Sequence, residues 1–203
     1  MKKLFIGVWH PSVILTYLGV CFAVFGIIML SVHPDWAVIC LACAAVCDMF
    51  DGMVARCFDR TDTEKQFGIQ IDSLADIGSF VVFPACMLVQ MSNRSIAAFI
   101  VAALFVVAGV ARLAWFNITT EDAPECFTGL PVTSSALIVP VVYVVLSVIS
   151  VSLLTAQIVW CVVFGLMAVL FVSNFRLCKP KMLFKILMLL AAIVLAALLL
   201  VII

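Results

Sequence analysis

Trp36-Ala-Val-Ile-Cys-Leu-Ala-Cys-Ala-Ala-Val-Cys-Asp48-Met-Phe-Asp51-Gly52-Met-Val-Ala55-Arg56, followed after a charged segment by Gly68-Ile-Gln-Ile-Asp72-Ser-Leu-Ala-Asp76, sets four carboxylates near the ends of two strongly apolar runs. An ionised side chain at the centre of a bilayer costs about 3 kcal/mol on insertion scales, so four on neighbouring helices call for a compensating cation or an aqueous cavity. In a helix of about 3.6 residues per turn, Asp48, Asp51, Gly52, Ala55 and Arg56 share one face. Gly68, Asp72, Asp76 and Ser79 recur at the same kind of spacing. A short connection makes the two helices antiparallel neighbours, and the two stripes can face each other.

The rest of the chain supports a membrane setting. Of 203 residues, 67% are hydrophobic and 11% charged, and the mean hydropathy is +1.36, outside the range of soluble domains. No basic patch points to nucleic acid. Apolar runs long enough for a bilayer, which takes about 20 residues, lie near 12–31, 36–56, 69–90, 95–116, 132–152, 156–175 and 183–203. The expectation is an all-α, polytopic membrane bundle of about seven transmembrane helices in a single domain over 1–203, with the hairpin 36–90 carrying the chemistry. Residues 1–10 are expected as a retained, short interfacial helix, with Leu4, Phe5, Val8 and Trp9 on one face beside Lys2 and Lys3. Pro140 should kink the fifth run.

With the N-terminus in the cytoplasm, ten of the eleven basic residues fall on the inner side and only Arg94 on the outer. That asymmetry sets the orientation by the positive-inside rule and places Asp48, Asp51, Asp72 and Asp76 towards the cytoplasm. The nine cysteines lie mostly within apolar runs, where they read as small packing residues; Cys40, Cys43 and Cys47 lack the second pair or histidines of a zinc site.

Carboxylate oxygens are hard ligands suited to Mg²⁺, Mn²⁺ or Ca²⁺. Four carboxylates balance two such ions. Gly52 and Ala55 leave the stripe almost bare, as helix packing or the approach of a phosphorylated ligand would require, and Arg56 offers a forked donor for phosphate. Arg112 and Arg176 stand at the inner ends of the fourth and sixth runs. Each can bind an acceptor's carboxylate, a substrate phosphate or the lipid surface.

The pattern Asp48-x2-Asp51-Gly52-x2-Ala55-Arg56, then Gly68-x3-Asp72-x3-Asp76, resembles the signature of the CDP-alcohol phosphatidyltransferases, with all eight signature residues present. The segment from Cys57 to Phe67 is longer and more charged than is usual in that family. Softer likenesses, in Asp72-Ser-Leu-Ala-Asp76, Ser79-Phe80, Pro84-Ala85, Arg112-Leu-Ala-Trp-Phe-Asn117, Gly129-Leu-Pro131 and Val172-Ser-Asn-Phe-Arg176, are to the family's serine-using members.

The resemblance implies transfer of a phosphatidyl group from CDP-diacylglycerol to an alcohol, L-serine before others, with release of CMP. It implies that Asp48, Asp51, Asp72 and Asp76 hold Mg²⁺ or Mn²⁺, two ions in all. Asp48, Gly52, Ala55, Arg56 and Gly68 would meet the nucleotide and diphosphate, Asp76 would act as general base, and Arg112 and Arg176 would meet the acceptor. It also implies a homodimer. Glycerol 3-phosphate or an inositol derivative is the alternative acceptor. A divalent-cation or proton-coupled transporter is the alternative class, since intramembrane carboxylates also mark ion pathways; it predicts acidic or polar residues on helices beyond the second and third that reach the outer face, where Asp35 is the one acidic residue.

Overall fold

The computed structural model describes residues 7–9, 11–119, 126–149 and 151–178. Helices dominate it: α1 (Pro11–Met29), α2 (Pro34–Arg56), α3 (Asp62–Asp76), a π-helical segment (Ile77–Val82), α4 (Phe83–Met91), α5 (Ile96–Thr119), α6 (Ser135–Ile149) and α7 (Leu153–Val172). Two short strands, β1 (Cys126–Thr128) and β2 (Arg176–Cys178), pair antiparallel.

Five helical stretches are long and apolar enough to cross a bilayer: Pro34–Arg56, Asp62–Met91, Ile96–Thr119, Val132–Ile149 and Leu153–Val172. Val13–Met29 is a shorter apolar helix. The seventh expected run, 183–203, lies outside the described residues. Of the interfacial helix expected over 1–10, Gly7, Val8 and Trp9 are not helical, with Gly7 at φ +104°, and the remaining positions are outside the description. Trp9 instead rests against Tyr17, ring centroids 5.6 Å apart.

Local chemistry explains the ends of the hairpin. Pro34 opens α2, where its missing N–H costs nothing, with Asp35 in the first turn. α3 begins at Asp62, seven residues before the apolar run read from the sequence. Thr61 accepts from the Glu64 backbone N–H while the Glu64 carboxylate accepts from the Thr61 N–H at 2.9 Å, a reciprocal cap that starts a helix on polar residues. A bare apolar count overlooks such a signal.

The helix then widens. The Phe83 N–H bonds the Gly78 carbonyl, five residues back, and Pro84 has no N–H to return to Phe80. The Phe80 carbonyl is satisfied from outside, by the Ser135 hydroxyl at 2.7 Å. One proline thus frees an acceptor that α6 uses to dock.

The core lies on the other side of this segment. Phe80, Phe83, Phe105, Phe164, Phe171, Leu41, Met87 and Leu88 are fully enclosed. α1 packs along α2, and α5 along α7. Phe105 meets Phe164 at 4.9 Å and Phe171 at 5.2 Å between centroids. Gly109 lets α5 approach the π segment, since a Cβ there would lie 2.7 Å from Val81. Outward faces of α5 and α7 are apolar, with Leu104 61% and Leu166 59% exposed, as helices facing lipid require. At the far end of α2, the Tyr143 hydroxyl donates to Asp35 at 2.7 Å, tying α6 beyond Pro140 to the start of α2.

Candidate active site

α2 delivers Asp48 and Asp51, and α3 delivers Asp72 and Asp76, into one cleft that α1 closes. Its lining is Thr16 and Gly19 of α1, Ala44, Asp48 and Asp51 of α2, and Asp72, Ala75, Asp76, Ser79 and Phe80. Small residues at Gly19, Ala44 and Ala75 let the three helices come together around the acids. The Cβ that glycine 19 lacks would sit 3.4 Å from that of Cys47. Free volume in the cleft is about 10 Å³, room for a single water or a bare ion.

Asp48, Asp72 and Asp76 each present a carboxylate oxygen such that all three lie within 4.8 Å of one another. All three are part-buried. Like charges so close in a poorly hydrated place repel strongly unless neutralised, and a divalent cation bound by hard oxygens is the chemistry this donor set fits. The fourth acid, Asp51, lies against Asp72; it is 9% exposed and its Oδ2 accepts from the Thr16 hydroxyl at 2.9 Å. Thr16 escaped the sequence reading, although a hydroxyl in an otherwise apolar helix was the available signal.

The remaining expected residues divide. Gly52 is exposed, and a Cβ there would meet nothing within 4 Å. That side of α2 is open, so close packing does not explain the glycine. Ala55 and Arg56 follow on the last turn, with Arg56 exposed. A Cβ at Gly68 would lie 3.3 Å from Arg60 Nη1, which brings a second guanidinium to the turn between the helices.

Arg112 is 6% exposed, donates from Nε to the Leu130 carbonyl at 3.3 Å and lies 5.6 Å from the centre of the Phe116 ring. Arg176 belongs to β2, its backbone paired with Thr128. The loop that receives Arg112 is itself fastened: the Gly129 N–H bonds the Phe175 carbonyl at 2.7 Å and the Leu130 N–H bonds Leu170 at 3.1 Å. Gly129, at φ +73°, packs within 2.9 Å of the Ser173 carbonyl at its would-be Cβ, so both backbone and space demand glycine there. Asn117, quoted above only within a motif, hydrogen-bonds Ser73 of α3, Nδ2 to Oγ 2.9 Å.

An apolar helical bundle with a carboxylate cluster between two of its helices defines an integral membrane protein built around a candidate divalent-cation centre. A family model, CDP-alcohol phosphatidyltransferase, matches residues 9–203; the chain belongs to that family. It is similar to the CDP-diacylglycerol–serine O-phosphatidyltransferase of Helicobacter pylori (strain J99), 39% identical over 97 residues that cover 46% of this chain and 40% of that protein. The protein of the same name from Mycobacterium tuberculosis (strain H37Rv) is 35% identical over 130 residues, 60% of this chain and 44% of the relative. That of Saccharomyces cerevisiae is 36% identical over 107 residues, 48% and 38% respectively. The matched stretch is thus under half the length of each of these curated relatives.

Proposed function

We propose that the protein transfers the phosphatidyl group of CDP-diacylglycerol to the hydroxyl of L-serine, giving phosphatidylserine and CMP. The meeting of Asp48, Asp72 and Asp76 within 4.8 Å carries the reading, and the names of the relatives supply the acceptor.

In this reaction the serine oxygen bonds to the phosphatidyl phosphorus while the P–O bond to CMP breaks, and CMP leaves with the electron pair on its phosphate. Asp76 takes the serine hydroxyl proton; a carboxylate has two oxygens, so one can face the cluster while the other receives the proton. Asp48, Asp51, Asp72 and Asp76 would hold Mg²⁺ or Mn²⁺, two ions by the family resemblance. When bound, these ions supply neutralisation of the diphosphate and of the charge that develops on CMP. Asp48, Gly52, Ala55, Arg56 and Gly68 seat the nucleotide and diphosphate, the open side of Gly52 admitting it against the backbone. Arg112 and Arg176 serve the acceptor. The basic bias of the loops supports a cytoplasm-facing site, and the family resemblance supports a homodimer.

The test is CMP release by the purified protein in detergent, given CDP-diacylglycerol and Mg²⁺ or Mn²⁺, with serine, glycerol 3-phosphate and inositol derivatives supplied separately. Serine-dependent release that stops on chelation and returns on adding metal is the expected result. Release with a different alcohol only would overturn the acceptor, and no release from folded protein with any of them would return the weight to transport.

A further inference from the structure

A second cavity lies at the far end of the bundle from the acids. α1 and α5 both pack on α4 and barely on each other. The space between them is an open, mainly apolar groove of about 740 Å³, within the range of about 300–1,000 Å³ that holds small organic ligands. Its walls include Ile27 and Leu30 of α1, Val89 of α4, and Ala102, Ala103 and Val106 of α5. The two alanines keep the α5 wall low.

The length of the groove is that of one leaflet. It runs beside α4 from Val82 to Gln90 and beside α5 from Val107 back to Phe99, about 12 Å in each case at a helical rise of about 1.5 Å per residue. Half the hydrocarbon thickness of a bilayer is about 15 Å. An acyl chain is the apolar body of that length that a membrane supplies.

The outer end of the groove is polar, with Ser31, Gln90 and Arg94. Arg94 belongs to the turn between two of the bilayer-length stretches. Its Nε and Nη2 both donate to one neutral acceptor, Gln90 Oε1, at 3.3 Å, and among the described residues no carboxylate lies within 4.0 Å of the guanidinium. Asp35, the acid at this end, already accepts from the Tyr143 hydroxyl. Arg94 also stands at φ +54°, next to Asn93 at +49°, a left-handed setting whose ordinary occupant is glycine. That turn, closed by the Arg94 N–H on the Val89 carbonyl at 2.8 Å, brings the guanidinium back to the mouth of the groove with donors to spare.

We propose that the groove seats one acyl chain of a membrane phospholipid, with the lipid's phosphate on the guanidinium of Arg94. A cation at the interface above an apolar slot matches both halves of such a lipid, and a guanidinium fork suits phosphate oxygens. The site is distinct from the acid cleft: Gln90 lies 14 residues beyond Asp76, about 21 Å along the helix axis, so no lipid can hold its phosphate at both. A second copy of the chain fits this groove less well, because a two-fold pairing across it would set two Arg94 side chains at one level with no carboxylate to meet them.

The experiment takes the full chain in detergent, stripped of co-purified lipid, and titrates it by native mass spectrometry with dioleoylphosphatidylglycerol and with dioleoylglycerol, which lacks the phosphate. The wild type should hold the phospholipid about tenfold or more the tighter. Arg94→Gly suits the left-handed backbone. It should weaken phosphatidylglycerol by about tenfold to a hundredfold, the worth of hydrogen bonds to a charged group, without moving dioleoylglycerol or lowering the lipid-free thermal midpoint. Arg94→Lys should keep most of the affinity, and Ala103→Trp, at an exposed position on the groove wall, should displace both probes. Equal binding of the two probes by the wild type, or undiminished phosphatidylglycerol binding by Arg94→Gly, would overturn the proposal. So would a dimer that Ala103→Trp dissociates while lipid binding persists. Should Ala103→Trp not fold, Arg94→Gly against Arg94→Lys decides, and equal affinity in the two contradicts it.

Discussion

The α2–α3 hairpin and the α5–α7 pair occupy the same bundle and are held by opposite means. α7 buries Trp160, Phe164, Met167, Ala168 and Phe171, and with Phe105 forms an aromatic seam inside apolar outer faces. α3 contributes no fully buried residue. It is held by a capping box at its start, by Ser73 on Asn117, and by the segment that docks on Ser135. One region is held by packing and carries no carboxylate, the other carries the acid cluster with little packing of its own. Substitutions should therefore separate into those that stop turnover and those that loosen the fold.

The sharpest separation is expected at Asp76. Asp76→Asn keeps the shape and removes the charge, and CMP release should fall by about a thousandfold with the thermal midpoint in detergent little lowered. Retention of more than about a tenth of the rate would take Asp76 out of the mechanism. Phe105→Ala should do the reverse. It empties the seam between α5 and α7 at a cost of about 3–5 kcal/mol, read as a lower midpoint, while kcat of the surviving folded fraction changes by less than about twofold. If both variants lost activity and stability together, the division of labour would be wrong.

A finer probe lies at Thr16, which belongs to α1 and touches the acids through Asp51. Thr16→Val leaves volume nearly constant and strips Asp51 of its donor. The Mg²⁺ or Mn²⁺ concentration for half-maximal activity should rise by about tenfold, as partners behind a metal ligand commonly contribute. No shift would make the Thr16 bond a packing detail. The smallest effect is expected at Tyr143→Phe, remote from the acids, where loss of the bond to Asp35 should cost about 1 kcal/mol of stability and leave KM for both substrates alone.

The acid cluster was legible because charge in an apolar chain is conspicuous. Asp48, Asp51, Asp72 and Asp76 stand out from their surroundings, and helical spacing alone brings them to one side. The helix ends were less legible. α3 starts on Asp62 because Thr61 and Glu64 cap each other, an effect of specific hydrogen bonds that hydropathy does not register. α7 likewise starts at Leu153, three residues before its apolar run was placed, after Ser152 caps the Thr155 N–H. Thr16 and Asn117 were hidden for another reason: their roles exist only across helix pairs, with partners 35 and 44 positions away in the chain. The widened turn at Ile77–Val82 had its cause in plain view at Pro84, but which group would take up the freed carbonyl depended on Ser135, far along the chain.

That widened turn has a consequence for how the chain tolerates change. It works as a phase shift: each residue advances a helix by about 100°, so the wide turn resets which way everything after it points relative to everything before. Asp72 and Asp76 look into the cleft from one side of the shift, while Phe83 and Met87 look into the core from the other. Losing a single residue within 77–82 would restore an even winding and swing the downstream side chains out of step with the acids. Here a deletion of one residue should harm the protein more than replacing any one of those six, because it alters the bearing of an entire helix rather than the surface of one side chain.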